Sequence, residues 1–95
     1  MKMMIVIVKD SESEALTHAL TAAQYRVTGI SSTGGFLRSG VATLLIGVED
    51  DQVDAASALI RATLTAPGRR AEHADASGEK RATLFVVPVS RFEQV

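Results

Sequence analysis

The apolar residues of the chain alternate between strand-like and helix-like patterns. Residues 3–8 form a continuous run of β-branched residues and methionines, which is typical of a strand buried on both faces. Apolar positions then recur at the helical spacing between residues 11 and 23, and again between residues 53 and 64. The pattern predicts four strands and two helices in the order βαββαβ. The predicted strands are 3–8, 25–30, 42–48 and 82–87.

Polar residues precede each predicted helix and favour a helix N-terminus there. Before the first helix, Asp10 or Ser11 is the predicted N-cap, and Ser11 and Glu14 have the spacing of a capping box. Before the second helix, the acidic run at 49–51 suits the positive end of the helix dipole. A shift of 40 residues superposes the two halves, each of which predicts strand, acidic cap, helix and strand.

The order βαββαβ with right-handed crossovers indicates an α+β fold with a ferredoxin-like protomer. In that arrangement two helices cover one face of a four-stranded antiparallel sheet. Three of the predicted strands are nevertheless apolar at consecutive positions, so they present apolar side chains to both faces. A single copy therefore exposes a larger apolar patch than soluble proteins usually tolerate. We expect one domain over residues 1–95 that forms a homo-oligomer through the uncovered sheet faces.

Composition and charge exclude several classes of function. The chain is 46% apolar, which excludes disorder, and its lack of cysteine excludes disulfides and thiolate chemistry. Its two histidines cannot fill a zinc site unaided, so no metal site is predicted. A net charge of −1 gives no electrostatic reason to bind nucleic-acid polymers or an anionic membrane. The N-terminal apolar run is too short to span a membrane, so a soluble cytoplasmic protein is expected.

Residues 31–40 are the stretch where glycines, hydroxyls, an aromatic residue and an arginine occur together. Gly34 and Gly35 allow backbone N–H groups to converge on a phosphate, and Phe36 can stack on a base. Val41 stands where a Walker A loop requires lysine, so hydrolysis of nucleoside triphosphates is not supported. Local chemistry alone leaves two equal alternatives, a ligand-binding loop and a simple connection between two strands.

The sequence has five segments that occur together in one known family, at 2–8, 26–28, 32–40, 46–48 with 50–54, and 85–89 with 91–92. By these segments the chain resembles the PII-like cyclic-di-AMP receptor family over nearly its whole length, apart from residues 65–81. The most specific part of the resemblance is the sequence Thr-Gly-Gly-Phe-Leu at 33–37. The resemblance implies a ferredoxin-like protomer, a PII-like homotrimer and nucleotide sites in the clefts between subunits. It also implies a non-enzymatic signalling role, in which a small nucleotide orders loops 31–41 and 65–81 for a protein partner.

The same resemblance implies which residues bind cyclic-di-AMP. Arg26 and Thr28 are expected at the floor of the cleft, and Phe36 and Leu37 are expected to contribute an apolar wall to an adenine. Gln94 is similar to the glutamine that reaches across from a neighbouring subunit in the family. The complete implied set is Arg26, Thr28, Gly35, Phe36, Leu37, Gly47 and Gln94.

Two departures from the family pattern leave a second hypothesis about the ligand. The family usually has asparagine where this chain has Val41, and valine cannot hydrogen-bond the edge of a base. Loop 65–81 is also shorter than the ordering loop that is typical of cyclic-di-AMP binders. The alternative hypothesis is a PII-like sensor of ATP, ADP, another adenine nucleotide or a small anion.

A small enzyme on the ferredoxin-like fold is the third hypothesis. Its candidate groups share one charged loop without rigid support, and none has the spacing of a catalytic triad or carboxylate pair. No catalytic residue is therefore predicted. The candidates in that loop are Glu72, His73, Asp75 and Glu79.

Overall fold

The structure is a computed structural model that describes residues 1–31, 40–65 and 82–95. Within these residues the chain forms a four-stranded antiparallel sheet and two α-helices, which confirms the predicted α+β fold. A short 3-10 turn at Asp50–Gln52 precedes the second helix. The elements are β1 (Lys2–Lys9), α1 (Asp10–Ala22), β2 (Arg26–Ser31), β3 (Val41–Val48), α2 (Val53–Leu64) and β4 (Ala82–Pro88).

The strands lie in the order β2-β3-β1-β4, and every neighbouring pair is antiparallel. The starts of β1 and β2 therefore lie at the same end of the sheet as the ends of β3 and β4. At this end, Gly47 of β3 lies between Arg26 of β2 and Met3 of β1. The register brings the arginine of an edge strand beside the two central strands.

The hydrophobic core lies between the two helices and one face of the sheet. Buried and partly buried residues alternate along β1 and β3, because successive side chains of a strand point to opposite faces. Every third or fourth residue of each helix completes the core. The buried cluster consists of Met4, Val6, Val8, Leu16, Leu20, Leu44, Ile46, Val48, Ala56, Ile60 and Leu64.

The other face of the sheet carries apolar side chains that neither helix covers. Ile5 in the central strand β1 lies directly opposite Leu45 of β3 and Phe85 of β4. Phe85 is 51% exposed, and Ile30 near the end of β2 is 44% exposed. This apolar face is what the two-sided pattern of the strands predicts. Within the described ranges, no helix is long and apolar enough to cross a membrane.

The start of α1 differs from the prediction. The N-cap is Lys9, in extended conformation and without a side-chain capping bond, so the predicted cap at Asp10 or Ser11 is wrong. The backbone N–H of Asp10 donates to the carbonyl oxygen of Gly40 at 2.8 Å. Gly40 has a φ of +85°, which favours glycine, and it precedes β3. The first backbone N–H of this helix is therefore satisfied by a tertiary contact with the residue before β3 instead of by a local side chain.

A capping box is present before α2, at the acidic run that the sequence marked as a helix start. The backbone N–H of Glu49 donates to Oε1 of Gln52 at 2.9 Å. The Glu49 side chain accepts a hydrogen bond from the Gln52 backbone in return. This reciprocal pair satisfies two backbone groups at the turn that leads from β3 into α2.

Candidate functional site

A cleft of about 640 Å³ lies at the end of the sheet where β1 and β2 begin. Its floor is the face that the helices leave uncovered, and Met3, Leu45 and Gly47 line it from the two central strands. Arg26 and Thr28 line it from β2. The cleft therefore runs from the edge of the sheet towards its centre, beside the exposed apolar surface.

Arg26 and Thr28 share one face of β2 because they are two residues apart on the strand. Both are exposed, whereas Val27 between them packs against the core. The register sets Arg26 opposite Gly47 and Thr28 opposite Leu45. A guanidinium group and a hydroxyl thus lie side by side over a floor formed by glycine and leucine.

Gly47 leaves space on the floor of the cleft next to Arg26, because it has no side chain. A Cβ atom built at this position meets only the Cε of Met1, at 3.6 Å, which is an ordinary van der Waals distance. The contact is the end of a flexible side chain, so alanine fits here without disturbing the backbone. A longer side chain at residue 47 has to extend into the cleft.

Met1 is held at the rim of the cleft by an ion pair. Its amino group lies 3.0 Å from Oδ1 of Asp50, just after β3. The hydrogen bond and the positive charge of this amino group, with a smaller contribution from Lys2, lower the pKa of Asp50. Asp50 thus stays ionised and continues to hold Met1 beside Gly47 well below neutral pH.

The wall beyond Arg26 is shaped by the end of α1, which closes with a Schellman motif. The backbone N–H of Gln24 donates to the carbonyl of Thr21, and that of Tyr25 donates to the carbonyl of Leu20. Gln24 has a φ of +70°, a conformation in which this motif usually has glycine. Gln24 and Tyr25 both line the cleft, so a strained residue lies at its wall.

Replacing Gln24 with glycine is expected to stabilise the fold. The change relieves about 1–2 kcal/mol of left-handed backbone strain and costs about 0.5–1 kcal/mol of backbone entropy. We expect the free energy of unfolding in urea to rise by about 0.5–1 kcal/mol. Ala23→Gly is the matched control, because Ala23 has a φ of −86° and should lose stability. Equal losses of unfolding free energy in the two variants would contradict backbone strain at residue 24.

The segment after β4 forms the remaining wall. The backbone N–H of Val89 donates to the carbonyl of Met1 at 3.0 Å, which fixes where this tail leaves the sheet. Arg91, Phe92 and Gln94 then line the cleft. Phe92 lines the cleft and is 55% exposed, so it does not anchor the tail in the hydrophobic core. Because the tail has no regular secondary structure, its pattern could not indicate that placement.

Four of the seven residues implied for ligand binding meet in this cleft, namely Arg26, Thr28, Gly47 and Gln94. Gln94 lines the cleft of its own chain. Gly35, Phe36 and Leu37 lie outside the described residues, as do most of loops 31–41 and 65–81. A role of the implied set in binding stays a prediction. Lining residues that the sequence did not single out include Gln24, Tyr25, Gln52 and Arg91.

Comparison with known proteins identifies the family of the chain. A family model described as cyclic-di-AMP receptor matches residues 1–77. The chain belongs to the cyclic-di-AMP receptor family. Membership of the cyclic-di-AMP receptor family supports a nucleotide-binding role in signalling and suggests a non-enzymatic protein. The match includes Arg26, Thr28 and Gly47, whereas the tail with Gln94 lies beyond it.

A solved structure supports the fold over the rest of the chain. It is the crystal structure of a functionally unknown protein from Pediococcus pentosaceus ATCC 25745, which is 28% identical to this chain. The two align with a TM-score of 0.67 over 99% of this chain and 96% of that chain. The similarity therefore extends through β4 and the tail, beyond the segment that the cyclic-di-AMP receptor family matches.

Proposed function

We propose that the chain is a PII-like signal-transduction protein that binds cyclic-di-AMP in clefts between the subunits of a homotrimer. The observation that carries the proposal is the meeting of Arg26, Thr28 and Gly47 in one cleft of a cyclic-di-AMP receptor family member. Ligand binding then orders loops 31–41 and 65–81, and a protein partner recognises the ordered loops. The proposal includes no cofactor and no catalytic step.

The chemistry of the cleft suits an adenine nucleotide. Arg26 can hold a phosphate with two parallel hydrogen bonds, and the Thr28 hydroxyl can donate to an adjacent phosphate oxygen. The rings of Tyr25 and Phe92 supply apolar surface for a base. A volume of about 640 Å³ falls within the range usual for small-molecule sites.

The apolar sheet face supports the assembly part of the proposal. Ile5, Leu45 and Phe85 form a row across three strands, and Leu45 also lines the cleft. The ligand cleft and the apolar surface are therefore continuous. A copy that packs against this surface also closes one side of the cleft, which brings a second subunit to the ligand.

A PII-like sensor of ATP, ADP, another adenine nucleotide or a small anion is the second candidate, and Val41 is the residue that favours it. Val41 begins β3 and lies six residues before Gly47, which corresponds to about 20 Å along the strand. Val41 does not line the cleft among the described residues. A ligand that extends to residue 41 loses the base-edge hydrogen bond that valine cannot make, whereas a smaller ligand near Gly47 does not need it. Arg26 can bind the phosphate of either ligand.

Calorimetric titration with cyclic-di-AMP, ATP and ADP separates the two candidates. We expect cyclic-di-AMP to bind, and Arg26→Ala to weaken it at least about tenfold, since charge-assisted hydrogen bonds are worth about 1.5–3 kcal/mol. Arg61→Ala is the matched control, because Arg61 is an exposed arginine of α2 outside the cleft. Phe36→Ala tests the glycine-rich loop in the same assay.

The outcomes distinguish the ligand from the site. Heat with ATP or ADP but not with cyclic-di-AMP favours the second candidate. Binding of cyclic-di-AMP that Arg26→Ala and Arg61→Ala weaken equally contradicts the cleft as the site. No heat with any of the three nucleotides contradicts both candidates.

A further inference from the structure

The walls of the cleft carry an excess of positive charge. Among the described residues that line it, Lys2, Arg26 and Arg91 are cationic and none is acidic. Lys2 also lowers the pKa of Asp50, whereas the two arginines carry guanidinium groups that suit phosphate. Arg26 comes from β2 at one edge of the sheet, and Arg91 comes from the tail after β4 at the other.

Arg91 is engaged by a carboxylate of its own tail. Its Nε pairs with Oε2 of Glu93, two residues further along the chain. The Arg91 side chain is 80% exposed and that of Glu93 is 52% exposed. Exposed ion pairs contribute little stability, because water competes with both charges and the two side chains lose rotamer freedom. The pair can therefore open at small cost.

A guanidinium group accepts carboxylate and phosphate oxygens in the same geometry. The Glu93 carboxylate thus occupies at Arg91 a position that a ligand phosphate can take. Cyclic-di-AMP carries two phosphodiester groups, and the proposed contact with Arg26 uses only one of them. We infer that Arg91 is a second phosphate-binding residue of the cleft and that Glu93 competes with the ligand for it. This inference rests on the proposed function and names a binding residue and a competitor within it.

Arg91 remains at the cleft when a ligand phosphate replaces the Glu93 carboxylate. The bond between Val89 and Met1 holds the tail to the sheet just before Arg91, so the cation stays at the cleft when Glu93 releases it. Binding then converts the tail from a self-paired segment into one that contacts the ligand, with Gln94 and Phe92 adjacent. Glu93 lowers the affinity of the cleft for the ligand, because the ligand has to displace the Glu93 carboxylate from Arg91.

Calorimetric titrations of the full chain with cyclic-di-AMP, and separately with inorganic pyrophosphate, test the exchange. Arg91→Gln should weaken cyclic-di-AMP about tenfold, as expected for the loss of one charge-assisted contact. Glu93→Gln should tighten it about threefold, in keeping with the small worth of an exposed pair. In the double variant, Glu93→Gln should have no further effect. Arg61→Gln is the charge-matched control and should bind as the unaltered chain does.

Two results overturn the inference while the proposed function stands. One is binding of cyclic-di-AMP that Arg91→Gln weakens no more than Arg61→Gln does. The other is tightening by Glu93→Gln that persists when Arg91 is already glutamine. If only pyrophosphate binds, and Arg91→Gln weakens it, the cyclic-di-AMP ligand is wrong but the phosphate role of Arg91 is supported. If neither probe binds, both the ligand and the role of Arg91 are refuted.

Discussion

Gly47→Leu is expected to weaken binding of cyclic-di-AMP about ten- to a hundredfold while the fold survives. Gly47 lies on the cleft floor between Arg26 and Met3, and the space above it is open except for the end of the Met1 side chain. A leucine side chain fills that space, and overpacking typically costs about 1–3 kcal/mol, which corresponds to a loss of affinity of roughly five- to 150-fold. The measurement is calorimetric titration, with thermal unfolding recorded without ligand.

Gly47→Ala is the control that separates a filled cleft from a damaged strand. Its Cβ meets only Met1 Cε at 3.6 Å, so we expect normal unfolding and a loss of affinity much smaller than that of leucine. Glycine weakens a strand interior, so neither substitution should destabilise β3. If Gly47→Leu is folded and binds the ligand as the unaltered chain does, the ligand does not lie on this floor.

The fold was predictable because the strands and helices have strong periodic patterns. The continuous apolar run of β1 predicted apolar side chains on both faces of the sheet. In the structure, Met4 and Val6 lie in the core and Ile5 lies on the uncovered face. The cap of α1 was not predictable, because the backbone N–H of Asp10 donates to the carbonyl oxygen of Gly40, thirty residues away. Tertiary contacts of this kind leave no local signal in the sequence.

The site was predictable on the strands and much less so elsewhere. Successive side chains of a strand alternate between its two faces, so Arg26 and Thr28, two residues apart, share one face, as in the structure. The register adds Gly47 opposite Arg26, which the sequence does not show. The tail has no periodicity, so no pattern of its residues indicates that Arg91 lines the cleft. The positive φ of Gln24 also escapes prediction, since glutamine at that helix end contradicts the usual preference for glycine.

The uncovered sheet face allows a sharper test of assembly than its exposure alone. Ile5 lies at the centre of this face, opposite both Leu45 and Phe85, and its side chain is not part of the helix-covered core. A glutamate there stays hydrated in an isolated protomer. In a packed interface it becomes a buried charge without a partner, and such a charge costs several kcal/mol, by rough estimate. Ile5→Glu therefore acts on the assembly far more than on the protomer.

Sedimentation equilibrium should give the mass of three copies for the unaltered chain and of one copy for Ile5→Glu. The far-ultraviolet circular dichroism of the variant should stay that of the folded protomer. Ala58→Glu is the control, since it adds the same charge at an exposed position of α2 and should leave the trimer intact. Because the proposed clefts lie between subunits, Ile5→Glu should also lose cyclic-di-AMP binding. An unaltered chain that sediments as a single copy, or an Ile5→Glu trimer, contradicts assembly through this face.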